Sequence, residues 1–203
     1  MANEREYIPA ECVTFRKTDE EFGGLSNMAP GFPIDFGGLH FHTSEAVYQA
    51  ARYPHRPEIQ TILIETVSPM TGKMKTKKYR RESRPDWDDV QNAVMRWCLR
   101  AKLVCNWRAF SSLLLSTGDR AIVEISHRDR YWGTVDREGT LIGQNILGRL
   151  LMELRRDLRE RESSLQELHP PDIANFLFLG GFPPKLVADM SKTTDRASQM
   201  KLL

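Results

Sequence analysis

Two carboxylates stand where a side chain can work on a bound molecule. Glu45 lies in the first turn of the helical segment "TSEAVYQAARY", residues 43–53, just after a hairpin-like stretch. Its charge suits the positive end of a helix dipole, whether it faces solvent or a cleft. Asp129 follows the apolar run "AIVEIS", residues 121–126, and opens "DRYWG", residues 129–133. There it either caps a turn or joins a binding loop at a strand end. Carboxylates supplied by separate elements can divide general acid and base work and stabilise a developing cation. Trp132, beside Asp129, is either core or a flat face for a base. Gly133 and Gly143 permit backbone that other residues resist, and Asn145 either caps the next helix or meets a ligand. Backbone amides near residues 143–146, at the start of that helix, are placed to receive an anion.

A second feature is cationic. "KMKTKKYRRESR", residues 73–84, carries seven Lys or Arg against one Glu. It reads as a solvated face or, with Tyr79 and the flanking prolines, as a loop that contacts phosphates. Lys73 in this run and Lys102 in the following helix are the amines available to attack an aldehyde-like carbon. Lys102 reads equally well as a helix-surface residue.

The elements that must position these residues are short. Residues 11–16 form a strand, and a hairpin follows, with strands near 33–36 and 39–42 around the turn Gly37-Gly38. Thr43 or Ser44 caps the helix that carries Glu45, and Pro54 ends it. The next helix, over 57–67, begins on a proline. The longest spans 86–107, with Asp86 as its cap and Val90, Val94, Trp97, Cys98, Ala101, Val104 and Cys105 on one face. Residues 108–118 form a helix stopped by Gly118, and 121–126 a strand. A loop then leads into a helix from about Gln144 to Arg159, buried along Ile146, Leu147, Leu150, Leu151 and Leu154. Residues 155–172 read as helix end and linker, 173–184 pack back on the body, and 191–203 fray.

With 203 residues the chain suits one α+β domain with more helix than strand. A net charge of +2 gives no global argument for nucleic acid, so any such argument rests on the local run. Three cysteines without paired spacing point to free thiols rather than a disulfide framework or zinc site. No stretch is apolar enough to cross a membrane, and a cytoplasmic, soluble protein is expected.

The ordered blocks "GGLSNM", "FHTSEAVYQAARY", "RPDWDDVQNAVMRWCLRAKL", "LLLSTGDRAIVEIS", "DRYWG" and "GQNILGRLLMELR" closely resemble the NADAR (YbiA-like) family over about residues 13–160. "AARYP", "SPMTGKMK" and "LRAKL" make the chain most similar to the branch paired with DarT-type DNA ADP-ribosyltransferase toxins. The resemblance implies a single compact, largely helical domain with a few short strands over residues 1–160. A C-terminal extension, 161–203, would pack on it and end in disorder. It implies an N-glycosidase acting on ribosylated amines. The reaction would be release of ADP-ribose from ADP-ribosylated guanine in DNA, as antitoxin to a DarT-type toxin, or hydrolysis of phosphoribosylamino intermediates of riboflavin synthesis. A non-catalytic ADP-ribose-binding module, or an antitoxin that acts by contact, is the reading from another class. DNA, ADP-ribose and the toxin are the implied partners; no cofactor, metal or membrane is implied.

Residue by residue, Glu45 matches the family's acidic position, and Asp129, Trp132 and Gly133 match its "D-x-[FY]-W-G" pattern. Asn145 and Gly148 match "N-x-LG", and Ser26 and Asn27 match "SNF", with Met28 in place of Phe. Arg52 stands where many members carry Lys, so that lysine's role does not carry over. The chemistry asks for the same groups. An N-glycosidic bond breaks through an oxocarbenium-like ribose, so a carboxylate near C1 must stabilise charge and deliver water while a proton donor helps the amine leave.

Overall fold

The computed structural model describes residues 4–189. In chain order come β1 (Arg5–Tyr7), β2 (Cys12–Phe15), β3 (Ile34–Phe36) and β4 (Leu39–Phe41), then helices α1 (Ser44–Ala51), α2 (Pro57–Glu65) and α3 (Pro69–Thr76). A 3-10 turn over Lys77–Glu82 leads to α4 (Trp87–Cys105) and α5 (Trp107–Ser116). β5 (Ala121–Glu124), β6 (Val135–Arg137) and β7 (Thr140–Gly143) precede α6 (Ile146–Glu160). A short α7 (Glu162–Leu165) and the two-residue strands β8 (Glu167–Leu168) and β9 (Leu186–Val187) close the described part.

The core is helical, with small sheets around it. α4 runs through the centre and buries Val94, Trp97, Cys98, Ala101 and Val104 on the expected face. α6 buries Leu147, Leu150, Leu151 and Leu154 against β5 and α4. β2 pairs with β5 in parallel, Phe15 opposite Glu124. β3 and β4 form the hairpin around Gly37 and Gly38, whose φ values of 58° and 76° are those of the tight turn that matches strand twist. Thr43 is the cap of α1, its hydroxyl accepting from the Ala46 amide. Residues after α7 return to the body: Phe176 and Phe178 pack on Trp97, whose indole N–H donates to the His169 carbonyl at 2.9 Å. The expected frayed segment 191–203 lies outside the described residues.

Three local expectations change. The segment after Trp132 is not all loop: β6 and β7 form a hairpin, and β1 adds to β7 to make a three-stranded antiparallel sheet. Glu138 and Gly139, both at positive φ, supply its turn. The first half of the basic run is a helix, because Ser68 caps α3 through the Thr71 amide, Pro69 starts it, and Gly72 lets it close on Leu63 of α2. Asp86 does not cap α4 with its side chain, since Arg84 takes both carboxylate oxygens at 2.6 and 2.9 Å. No helix among the described residues is long and apolar enough to cross a membrane.

Candidate active site

β2 and β5 are parallel, so their C-terminal ends open on the same side, where residues leaving both strands can meet one ligand. Arg16 and Lys17 after β2, and Glu124 to His127 at the end of β5, line one wall of a cleft of about 790 Å³. The first two turns of α1 close its floor with Glu45, Tyr48 and Gln49. α3 and the 3-10 turn supply the outer rim with Lys73, Lys77 and Arg80, and Met70 and Met74 lie exposed beside them. A volume of this order suits a ligand larger than a simple sugar phosphate.

Glu45 is buried, only 6% exposed. Its amide donates to the Asn27 carbonyl at 3.0 Å, which fixes the start of α1 against the loop that carries Ser26 and Asn27. One carboxylate oxygen accepts from Gln49 Nε2 at 2.8 Å and lies 3.5 Å from Lys73 Nζ. The carboxylate is therefore oriented by its own helix and covered by a cation from α3. Asn27 in turn accepts from the Ser44 hydroxyl and directs its amide at Met95 Sδ.

Glu124 is the residue that sequence reasoning missed. It ends an apolar strand, and its carboxyl is pushed up to about 7, first by burial and then by the neighbouring negative charges of Asp129 and Glu45, with Lys73 opposing. A carboxyl of this kind still holds its proton near neutral pH. The signal was present in "AIVEIS": a lone acid at the end of a strand otherwise built for a dry interior. Asp129 lines the same cleft, yet one of its oxygens accepts from the amides of Tyr131 and Trp132, both at 2.9 Å. It thus caps its turn and also places negative charge beside Glu124.

Aromatic faces complete the cavity. Trp132 meets Tyr48 edge to face at 5.5 Å, and Tyr48 meets Trp87 at 4.9 Å. Arg52 spreads its guanidinium over Trp87 at 4.8 Å. Six cationic side chains border the cleft: Arg16, Lys17, Arg52, Lys73, Lys77 and Arg80. Lys75 turns away to the Thr66 hydroxyl, and Lys78 lies over Tyr79. Among the described residues, no group of three or more His, Cys, Asp or Glu side chains is arranged to hold a metal ion.

Comparison with known proteins fits this arrangement into a lineage. The NADAR domain profile matches residues 14–159, most of the chain. The chain belongs to the NADAR family. It is 35% identical over 149 residues to the N-glycosidase YbiA of Escherichia coli K12, covering 72% of this chain and 88% of that protein. It is 32% identical over 156 residues to a riboflavin biosynthesis protein of Vibrio vulnificus, covering 77% of this chain and 41% of that protein. The NMR structure of E. coli YbiA superposes with a TM-score of 0.64 at 31% identity, over 78% of this chain and 90% of that one.

The residues matched to NADAR patterns, together with the two candidate lysines, divide into two groups. Ser26, Asn27, Glu45, Lys73, Asp129 and Trp132 line the cleft. Gly133, Asn145, Gly148 and Lys102 stand behind it and are not among its lining residues. Asn145, at φ 49° and fully buried, accepts from the Glu124 amide at 3.2 Å and donates to the Ile122 carbonyl at 2.9 Å. It straps α6 to β5 instead of contacting a ligand. A methyl group on Gly148 would lie 2.1 Å from the Ile122 carbonyl oxygen, and one on Gly133 would lie 2.8 Å from that of Glu124. Both glycines exist for close approach to β5, and with Asn145 they hold Glu124 in place. Lys102 is fully buried and donates to the Gly24 and Ser26 carbonyls at 2.6 and 2.9 Å, between the rings of Phe32 and Phe110. It positions the Ser26–Asn27 loop, which leaves Lys73 as the one of the two candidate lysines that lines the cleft. The expected anion site at the α6 start is also corrected. Amides of Gln144, Asn145, Ile146 and Leu147 donate to the carbonyls of Arg130, Gly133, Tyr131 and Trp132, so they are already satisfied.

Proposed function

We propose that this chain is an N-glycosidase that releases ADP-ribose from ADP-ribosylated guanine in DNA, and so acts as antitoxin to a DNA ADP-ribosyltransferase toxin. The observation that carries the reading is a pair of carboxyl groups, Glu45 and Glu124, facing one cleft with a cationic rim, Glu124 being pushed up to about 7 by burial. A carboxyl that keeps its proton near neutral pH is suited to the acid role. Glu124 donates its proton to the guanine nitrogen as the C1–N bond breaks and the bonding pair leaves with the base. Glu45, oriented by Gln49 and Lys73, stabilises the positive ribose and takes the proton of the attacking water. The new C1–O bond gives free ADP-ribose, and unmodified guanine remains in the DNA. Trp132 offers a face for a base. The rim cations Arg16, Lys17, Lys77 and Arg80 receive the diphosphate and the DNA phosphates.

A second reading has its own support. The Vibrio vulnificus relative is named a riboflavin biosynthesis protein, and a phosphoribosylamine presents the same bond to the same carboxyls. A single phosphate, however, needs fewer cations than the four at this rim that face phosphates. The two are separated by incubating the protein with guanine-ADP-ribosylated DNA and with the phosphoribosylamino intermediate, and comparing release rates. Faster release from DNA is expected; faster release from the metabolite would reassign the substrate, and binding without release from either would favour a contact antitoxin.

A further inference from the structure

A second depression lies behind the wall that carries Trp132. It is a groove of about 420 Å³ between α4 and α6, bordered by Arg5, Asn92, Arg96, Arg149, Glu153 and Arg156. Its one acid is already engaged: Arg96 grips Glu153 with two nitrogens at 2.7 and 3.1 Å. Arg156 reaches Asp157 only at 3.7 Å, on an oxygen that Arg161 holds at 2.6 Å. Arg5 and Arg149 make no ion pair among the described residues. Arg149 and Arg156 are seven residues apart on one face of α6, roughly 10.5 Å along its axis. The groove therefore holds an uncompensated row of guanidinium groups.

This row adjoins the catalytic cleft. On α4, Gln91 faces the cleft and Asn92 the groove; on α6, Leu147 faces the cleft and Ile146 the groove. Between them the Tyr131 hydroxyl donates to Asn92 Oδ1 at 3.0 Å, and the Tyr131 ring stands edge-on to Trp132 at 5.3 Å. A chain leaving the cleft past Trp132 needs to cross only this ridge to reach the arginines.

We propose that the Arg5–Arg149–Arg156 groove binds the sugar-phosphate backbone of a single-stranded nucleic acid whose modified base occupies the neighbouring cleft. The inference rests on the glycosidase reading above and specifies its substrate as a strand rather than a free nucleoside. Guanidinium forks match phosphate oxygens two at a time, which a compact ammonium does not. A regularly charged backbone can serve two cationic depressions on either side of one ridge. A base must also be out of its stack to reach carboxyls as buried as Glu45.

The test uses the full chain and an Arg149→Gln/Arg156→Gln variant, both positions lying at the surface. Binding of a short, labelled, unmodified single-stranded oligonucleotide is followed by fluorescence anisotropy across a range of salt. Loss of two phosphate contacts, at ~0.7 each, should flatten the log–log salt slope by about 1.4 and weaken low-salt binding ~10-fold. KM for an ADP-ribosylated oligonucleotide should rise by a similar factor, while release from ADP-ribosylated guanosine stays at the wild-type rate. An unchanged slope and affinity would overturn the proposal. So would a variant that loses binding to polyglutamate but keeps the oligonucleotide, which would make the groove an acidic-protein surface. Wild-type protein that binds the strand through these arginines yet releases no ADP-ribose from strand or nucleoside refutes the glycosidase reading and leaves the groove standing.

Discussion

Glu124→Gln separates the proposed proton donor from its scaffold, because the amide keeps the shape and removes the titration. In the folded protein the Glu124 carboxyl is raised from its ordinary 4.5 to about 7. The folded state therefore holds this proton more tightly than the unfolded chain does. The resulting stability is fully present below pH 4.5 and is lost as pH rises through about 7. At ~1.4 kcal/mol per pH unit, the interval between those values is worth at most about 3 kcal/mol. Glutamine carries no such dependence. Chemical denaturation of both proteins across this pH range should show the variant gaining on the wild type by up to about 3 kcal/mol as pH rises. In parallel, wild-type kcat should fall as pH rises through about 7, since the acid form is the one that works. The variant should lose ~10²-fold or more of kcat and lose that alkaline limb. A stability difference that stays constant with pH, or a variant of near-normal activity, would refute both the raised proton affinity and its use.

Substitutions at three further positions test the neighbouring assignments. Glu45→Gln should lower kcat at least ~10²-fold, with melting temperature and ADP-ribose binding near wild type; activity within a few-fold would reduce Glu45 to a dipole partner of α1. Trp132→Ala should raise KM while Trp132→Phe retains much of the affinity, as measured by steady-state kinetics; failure of both proteins to fold would assign Trp132 to the core. Lys102→Met removes the donor to the Gly24 and Ser26 carbonyls, and each buried acceptor left alone costs ~1–3 kcal/mol, so thermal melting should show marked destabilisation. A stable Lys102→Met protein that had lost only kcat would return Lys102 to the chemistry.

Much of the architecture was legible because local chemistry and burial agreed. The Gly37-Gly38 turn, the Thr43 cap, the proline start of α2 and the apolar face of α4 are set within a few residues of themselves. What escaped depends on distant partners. β7 is the middle strand of its sheet because β1, more than a hundred residues earlier, pairs with the side that β6 leaves open. Lys102 lies on the apolar face of α4, and the carbonyls of Gly24 and Ser26, distant in sequence, help make its burial tolerable. The site divides in the same way. Glu45 and Asp129 lie in a helix start and a turn, where sequence directs attention, whereas Glu124 closes an apolar strand and gains its character from burial and from two carboxylates brought in by α1 and the following loop. Asn145 and Gly148 are assigned to ligand binding through the family pattern "N-x-LG", but the amides at the helix start are consumed by the DRYWG turn and the Asn145 side chain by β5.

The central claim concerns which bond is broken, and isotope labelling reads that directly. The protein is incubated in 18O-water with a guanine-ADP-ribosylated oligonucleotide, and both products are weighed by mass spectrometry. The account predicts an oligonucleotide restored to unmodified guanine and free ADP-ribose carrying one water oxygen on the ribose that was bonded to the base. AMP with phosphoribosylated DNA, or substrate bound and returned unchanged, would contradict it.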